Sequence, residues 1–177
     1  MKTQHKSIIG VVLLSIVLII GISLISEKKE LKEEARVSEV ALGEKIEEMN
    51  SPHIVLGDVY EPYNSNPPTS GPHTGNQVAG PGIKDEPIPD EIVVHSLEHG
   101  AVVLWYKTSM DEESINRLKK VFAESSGKKI MIPRENMDTP IALTSWGYLL
   151  RLDSVDEDKI QAFIETNSDR APEKAPI

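Results

Sequence analysis

The sequence predicts an N-terminal transmembrane helix followed by a small α+β domain, a mixed β-sheet covered by two helices. Three observations carry that reading. An uncharged 18-residue run lies at 8–25, two apolar stripes at helical spacing each follow a capping-box pattern, and several apolar runs have strand length.

Residues 8–25, "IIGVVLLSIVLIIGISLI", are interrupted only by Gly and Ser. At about 1.5 Å per residue they nearly cross a hydrocarbon layer of roughly 30 Å. Lys2 and Lys6 give a basic start, yet no small-x-small cleavage site and no lipobox cysteine follow, so an uncleaved anchor over 1–26 is expected rather than a removed leader. Lys28, Lys29, Lys32 and Arg36 beyond the run oppose the positive-inside expectation. The short basic tail before a single first helix argues the other way, and sets the expectation of a single-pass cell-membrane protein with its C-terminal domain extracytoplasmic.

Residues 27–50 are charged and lack proline, and Leu31, Ala35, Leu42, Ile46 and Met49 recur at helical three- and four-residue intervals, with Ser38 a polar interruption between Ala35 and Leu42. The pattern predicts a juxtamembrane helical stalk. It is a solvated spacer first, with weak homodimerisation through its apolar face as the alternative, since the heptads are too few for a firm coiled coil. From Ser51 to Pro89 the chain is dense in Pro, Gly and Asn, which prevent long helices and central strands. Structureless segments of this length are usually functional or disordered, and His53, His73, Tyr60 and Tyr63 within it point to an ordered, functional loop.

"EIVVH" and "AVVLWY" are β-branched and apolar and are predicted as two buried strands around a His-rich turn. Ser109 with Glu112 forms a capping box before the stripe Ile115, Leu118 and Phe122, and Gly127 supplies a stop, giving a helix at about 110–125. "KKIMIP" reads as a short strand and "PIALTSWGYLLRL" as a longer strand region, with Gly147 a bulge or bend. Ser154 and Glu157 repeat the box before Ile160, Phe163 and Ile164, closing the domain with a second helix. The domain is thus expected over 51–167 in the order ββαββα, with 168–177 as a loose tail.

Composition removes several function classes. Without Lys2 and Lys6 of the anchor the chain has 17 Lys+Arg against 28 Asp+Glu, so a phosphate backbone is repelled and nucleic acid is not an expected partner. The absence of cysteine excludes thiolate metal sites, disulfides and cysteine nucleophiles. Any metal must bind through His, carboxylate or Met. No Ser/His/Asp arrangement or phosphate-binding loop is present, and "AGPGIK" lacks the required spacing.

His95-Ser96-Leu97-Glu98-His99 matches H-x-x-E-H, the inverted zinc-protease signature. That chemistry needs both histidines on one helix face, a downstream third ligand and a larger body. With strand-like flanks and Gly100 directly after His99, a protease is not expected. A metal is another matter. On one continuous strand the two histidines would sit roughly 13 Å apart, whereas a turn through Ser96–Glu98 brings their Cβ atoms within about 5–6 Å. Glu98 is then a ligand, an orienting partner or a proton carrier. His73 follows Gly71 and Pro72 in a rigid turn suited to presenting a ligand, and His53 follows Pro52. Apart from His5 beside the anchor these are all the histidines, and none lies beyond residue 99. Met137, beside Asn136 and Asp138, adds a thioether candidate, while Met131 between Ile130 and Ile132 reads as core. The expected cofactor is copper or zinc, held by His73, His95 and His99, with His53, Glu98 or Met137 completing the site. A metal-free reading, in which hydrogen-bonded histidines serve a structural or protein-interaction module, stands beside it.

The stretches "YNSNPPTSGPH", "DEPIPDEIVVHSLEHG" and "MDTPIALTSWGYLLRLD" resemble a bacterial and archaeal family of membrane-anchored domains of unknown function, over roughly residues 51–166. By motif match His73, His95, Glu98 and His99 fall on the family's pattern positions, and His53 on a less distinct one. Relatives often carry an aromatic-rich stretch after the first block, where this chain has "TGNQVAGPGIK". The resemblance implies a membrane-anchored domain and supplies no reaction. Three functions remain open: reversible metal binding, a metal-dependent enzyme with Glu98 as acid/base, and a metal-free module.

Overall fold

The computed structural model describes residues 41–177. The apolar run at 8–25 and residues 27–40 of the expected stalk lie outside the described residues, among which no helix is long and apolar enough to cross a membrane. The elements are β1 (Glu44–Lys45), β2 (His53–Ile54), β3 (His73–Thr74), β4 (Gly82–Ile83), α1 (Asp90–Glu98), β5 (Val102–Tyr106), α2 (Glu112–Glu124), β6 (Lys129–Pro133), β7 (Ile141–Ser145), β8 (Tyr148–Leu152) and α3 (Glu157–Asn167). Six strands form a mixed sheet in the order β1-β8-β7-β5-β6-β4, and β2 and β3 pair separately.

The centre of the sheet is β5, parallel to β6 and antiparallel to β7. All five of its residues are buried, because the two sides of the pleat meet different layers. Val102, Leu104 and Tyr106 face Leu118, Val121 and Phe122 of α2 and Ile160, Phe163 and Ile164 of α3. Val103 and Trp105 face Val93, Val94 and Leu97 of α1, with Trp146 and Met137. The mixed α+β sheet and the two helices on one face are as expected. The opposite face is covered by α1 and the Pro/Gly-rich segment, so the domain has three layers.

The largest correction concerns "EIVVH", which is helix, not strand. Pro89 stands at the helix start, Asp90 and Glu91 occupy the first turn where the helix dipole favours acid, and Val93, Val94 and Leu97 bury one face at helical spacing. The β-propensity of Ile92, Val93 and Val94 gives way to that burial. Arg134, at the end of β6, clamps the start of α1: its guanidinium meets the two Asp90 oxygens at 2.5 and 3.0 Å, donates to Asn66 Oδ1, and lies over the Trp105 ring. Gly100 ends the helix at φ +87°, and a Cβ there would stand 2.8 Å from the Asp169 backbone.

Other elements depart in detail. Asp111 and Asp156, not Ser109 and Ser154, cap α2 and α3, accepting from Ser114 N and Lys159 N. Gly147 turns a β7–β8 hairpin, so "PIALTSWGYLLRL" is two antiparallel strands. Residues 41–50 are not helical. Glu44 and Lys45 pair with β8, Ile46 packs on the core, and Leu42 exchanges hydrogen bonds with the Asn167 side chain. The tail does not hang loose either. Glu173 N donates to Glu98 O, Lys128 Nζ to Ala175 O, and Ala171 and Ile177 pack against the α1 core.

Candidate metal site

The ordered loop and α1 bring all four histidines of the described chain together. In the Pro/Gly-rich segment, β2 and β3 pair in parallel with His53 opposite His73, and Pro52 O accepts from His73 N at 3.2 Å. Tyr63 buttresses this turn by donating its hydroxyl to Pro72 O at 2.7 Å, and burial holds its phenol well above the ordinary range. Gly71 takes φ +123° with the Tyr63 ring 3.0 Å from where a Cβ would stand. From α1, His95, Glu98 and His99 project at helical spacing towards the loop and the C-terminal segment. The rings form a row: His53 to His73 is 5.1 Å between centroids, His73 to His95 5.3 Å, and His95 to His99 4.4 Å.

Hydrogen bonding fixes the chemistry of three rings. His73 donates Nδ1–H to Gly71 O at 2.8 Å, His95 to Gln77 O at 2.7 Å and His99 to Pro176 O at 2.9 Å, since a carbonyl only accepts. In the neutral form each is left with its lone pair on Nε2. This is the arrangement of metal-ligating histidines, whose second nitrogen is pinned by a main-chain or carboxylate oxygen. Burial lowers the His95 pKa, against the raising effect of the Gln77 carbonyl, and His99 and His73 nearby lower it further.

His73 Nε2 faces Glu98 Oε2 at 2.8 Å, and His53 Nε2 stands 3.9 Å from the same oxygen. With its Nδ1–H committed, His73 can satisfy Glu98 only through a proton or a cation between them. Two donors on one ion at about 2.0–2.2 Å are roughly 2.9 Å apart at a right angle and roughly 3.4 Å apart in a tetrahedron. The His73–Glu98 pair already has the right-angle spacing. His53, 59% exposed, needs only a small inward swing. Among the described residues, His53, His73 and Glu98 are a group whose ligand atoms all lie within 4.8 Å of one another. An open groove of about 380 Å³ beside His53 is lined by Ile54, Val55, Leu56, Asp58 and the Gly75–Gln77 stretch.

The six sequence candidates therefore separate. His53, His73 and Glu98 converge. His95 and His99 stand next in the row, on the helix that the inverted protease signature requires and the strand reading denied them. Met137 is buried among the apolar side chains of the α1-side core. Sequence reasoning missed the groups that position the rings. Gly75 leaves room for His53, since a Cβ there would be 2.6 Å from its Nδ1. The Trp146 ring sets its face edge-on to His73. Gln77 lies in the stretch set aside as a departure from relatives, and Pro176 and Glu173 in the segment read as a tail.

Together, the fold and these side chains define an α+β domain with a His/His/carboxylate group spaced for a metal ion. The chain belongs to the family described as "Protein of unknown function (DUF3105)", whose model matches residues 60–176. His73, His95, Glu98 and His99 lie inside the match and His53 outside it. No curated protein and no solved structure matches the chain.

Proposed function

We propose that this is a membrane-anchored, extracytoplasmic domain that binds one copper or zinc ion through His53, His73 and Glu98. The observation that carries the reading is the His73–Glu98 contact: an Nε2 lone pair, fixed by the Gly71 carbonyl, aimed at a carboxylate 2.8 Å away with His53 in reach. Imidazole and carboxylate without thiolate suit Zn²⁺ or Cu²⁺. Elemental analysis of the untagged full chain should find bound metal in the wild type, and His73→Ala should lose the ion held at this group. A His73→Ala protein that stays folded and keeps every ion of the wild type would refute the site.

The enzyme reading has one supporting observation, the groove beside His53, because two histidines and one carboxylate leave coordination positions open. In it Glu98 would be a ligand rather than the acid/base, as its contact with His73 favours. The anchor rests on the uncharged run at 8–25 and the outward orientation on the basic start. A reporter fused after Ile177 that works only outside the cytoplasm should be active. Activity solely from a cytoplasmic reporter would reverse the orientation.

A further inference from the structure

We infer that α1 carries a second cation site, formed by His95 and His99 and closed by Glu173 of the C-terminal strap, for one Zn²⁺ or Cu²⁺ ion. The argument begins with ring directions. A ring lone pair lies in the ring plane, and two nitrogens on one ion at about 2.1 Å each stand no more than about 4.2 Å apart. His73 and His95 are stacked 5.3 Å apart and only 22° from parallel, so their lone pairs run side by side rather than meeting. His95 and His99, one helical turn apart, have centroids 4.4 Å apart, the shortest spacing in the row and one that two imidazoles on a single ion can keep. The histidine row thus divides between His73 and His95.

Each ring of this pair is already oriented, His95 by Gln77 O and His99 by Pro176 O, leaving both Nε2 atoms as the ligand atoms. The third ligand is close by. Glu173 Oε2 stands 3.4 Å from His99 Nε2 on a side chain that is 53% exposed. Its backbone is held, because Glu173 N donates to Glu98 O at 3.1 Å, so the carboxylate swings about a fixed hinge. The set is open until that swing closes it over the ion. Glu98 lies between the two histidines in sequence but turns its carboxylate to His73, away from the water-activating place it would hold in a protease. This site therefore holds an ion and ties the strap to α1 without hydrolytic chemistry.

The inference does not rest on the His53/His73/Glu98 reading, and one experiment separates them. The full chain in detergent is titrated with Co²⁺ as the probe, bound metal is measured by equilibrium dialysis, and circular dichroism checks folding. The wild type should bind two equivalents, and His53→Ala and His99→Ala one each. Glu173→Gln should weaken only the equivalent that His99→Ala removes, by tenfold or more, and it serves as the test should His99→Ala fail to fold. A single wild-type equivalent lost in both His53→Ala and His99→Ala would mean one shared ion and overturn the second site. A single equivalent lost only in His53→Ala would overturn it while leaving the first site standing. A single equivalent lost in His99→Ala and kept in His53→Ala would support it and remove the first. An unchanged Glu173→Gln titration would overturn the closure by the strap.

Discussion

At the scale of single residues, the site depends on groups that carry no metal-binding chemistry of their own. Gly75 is the clearest, because the His53 ring occupies the space a Cβ would need. Gly75→Ala should push His53 outward and lower affinity at the His53/His73/Glu98 group by about 10–100-fold, the range typical of disturbed outer-shell positions. Its urea midpoint should hardly move, since His53 is exposed and buries little. Competition against a chromophoric chelator beside a urea titration separates the two effects, and an unchanged affinity would show that His53 is not a ligand. Leu97→Ala should do the reverse. Leu97 is fully buried between α1 and the sheet, so its truncation should cost about 2–5 kcal/mol in urea unfolding. The histidines were legible in the sequence because their chemistry is rare and their positions clustered. The carbonyls of Gly71, Gln77 and Pro176 were not, because every residue has one and only the fold decides which ring it meets.

At the scale of elements, hydrophobic periodicity specifies structure where it stands alone and misleads where strand propensity competes with it. The stripe of α2 and the two-sided burial of β5 appear in the sequence as they do in the fold. α1 was misread because Ile92, Val93 and Val94 carry strand propensity, while the signals that start a helix, Pro89 followed by Asp90 and Glu91, sit in a segment rich in turn residues. The capping boxes identified the right helices through the wrong residues, since an aspartate lies nearer each start. Those aspartates give the helices an acid dependence. Hydrogen bonds from the Ser114 amide and hydroxyl hold Asp111 below its ordinary value of 3.8, and Lys159 does the same for Asp156. A folded value below the unfolded one means stabilisation that is present above the unfolded pKa and lost as pH falls through the folded value. The urea midpoint of the wild type should therefore fall between about pH 5 and pH 2 more steeply than that of Asp111→Asn/Asp156→Asn, which keeps capping oxygens that do not titrate. Parallel curves would show that the caps contribute nothing to acid sensitivity.

Across the whole molecule, residues 41–50 of the expected stalk and residues 168–177 of the expected tail belong to the described domain. Leu42 is bonded to Asn167 at the end of α3, and the chain beyond Asn167 returns across Gly100 to α1, where Asp169 N donates to Gly100 O. Neither segment could be placed from sequence, because each is short, polar and held mainly by main-chain hydrogen bonds that leave no residue pattern. Residues 173–177 nevertheless touch the histidine helix and its C-cap at four points: Glu173 N on Glu98 O, Glu173 Oε2 beside His99 Nε2, Pro176 O on His99 Nδ1, and Ile177 against the α1 core. Truncation after Pro172 removes all four, together with the bond from Lys128 Nζ to Ala175 O. Three hydrogen bonds worth about 0.5–1.5 kcal/mol each, and the partial burial of one Ile, set the expected loss at roughly 2.5–5.5 kcal/mol in metal-free protein. Ile177→Ala should account for only the apolar share, roughly 1 kcal/mol. Because the hydrogen bonds lost with residues 173–177 go to Glu98, His99 and Lys128, hydrogen exchange in the truncated protein should rise first in α1 and leave the Leu118–Phe122 turn protected. Equal protection of α1 in both proteins would show that the strap lies on the helix without stabilising it. Truncation should also leave His99 without either partner, so the equivalent of Co²⁺ assigned to His95 and His99 should bind more weakly while that at His53, His73 and Glu98 is retained.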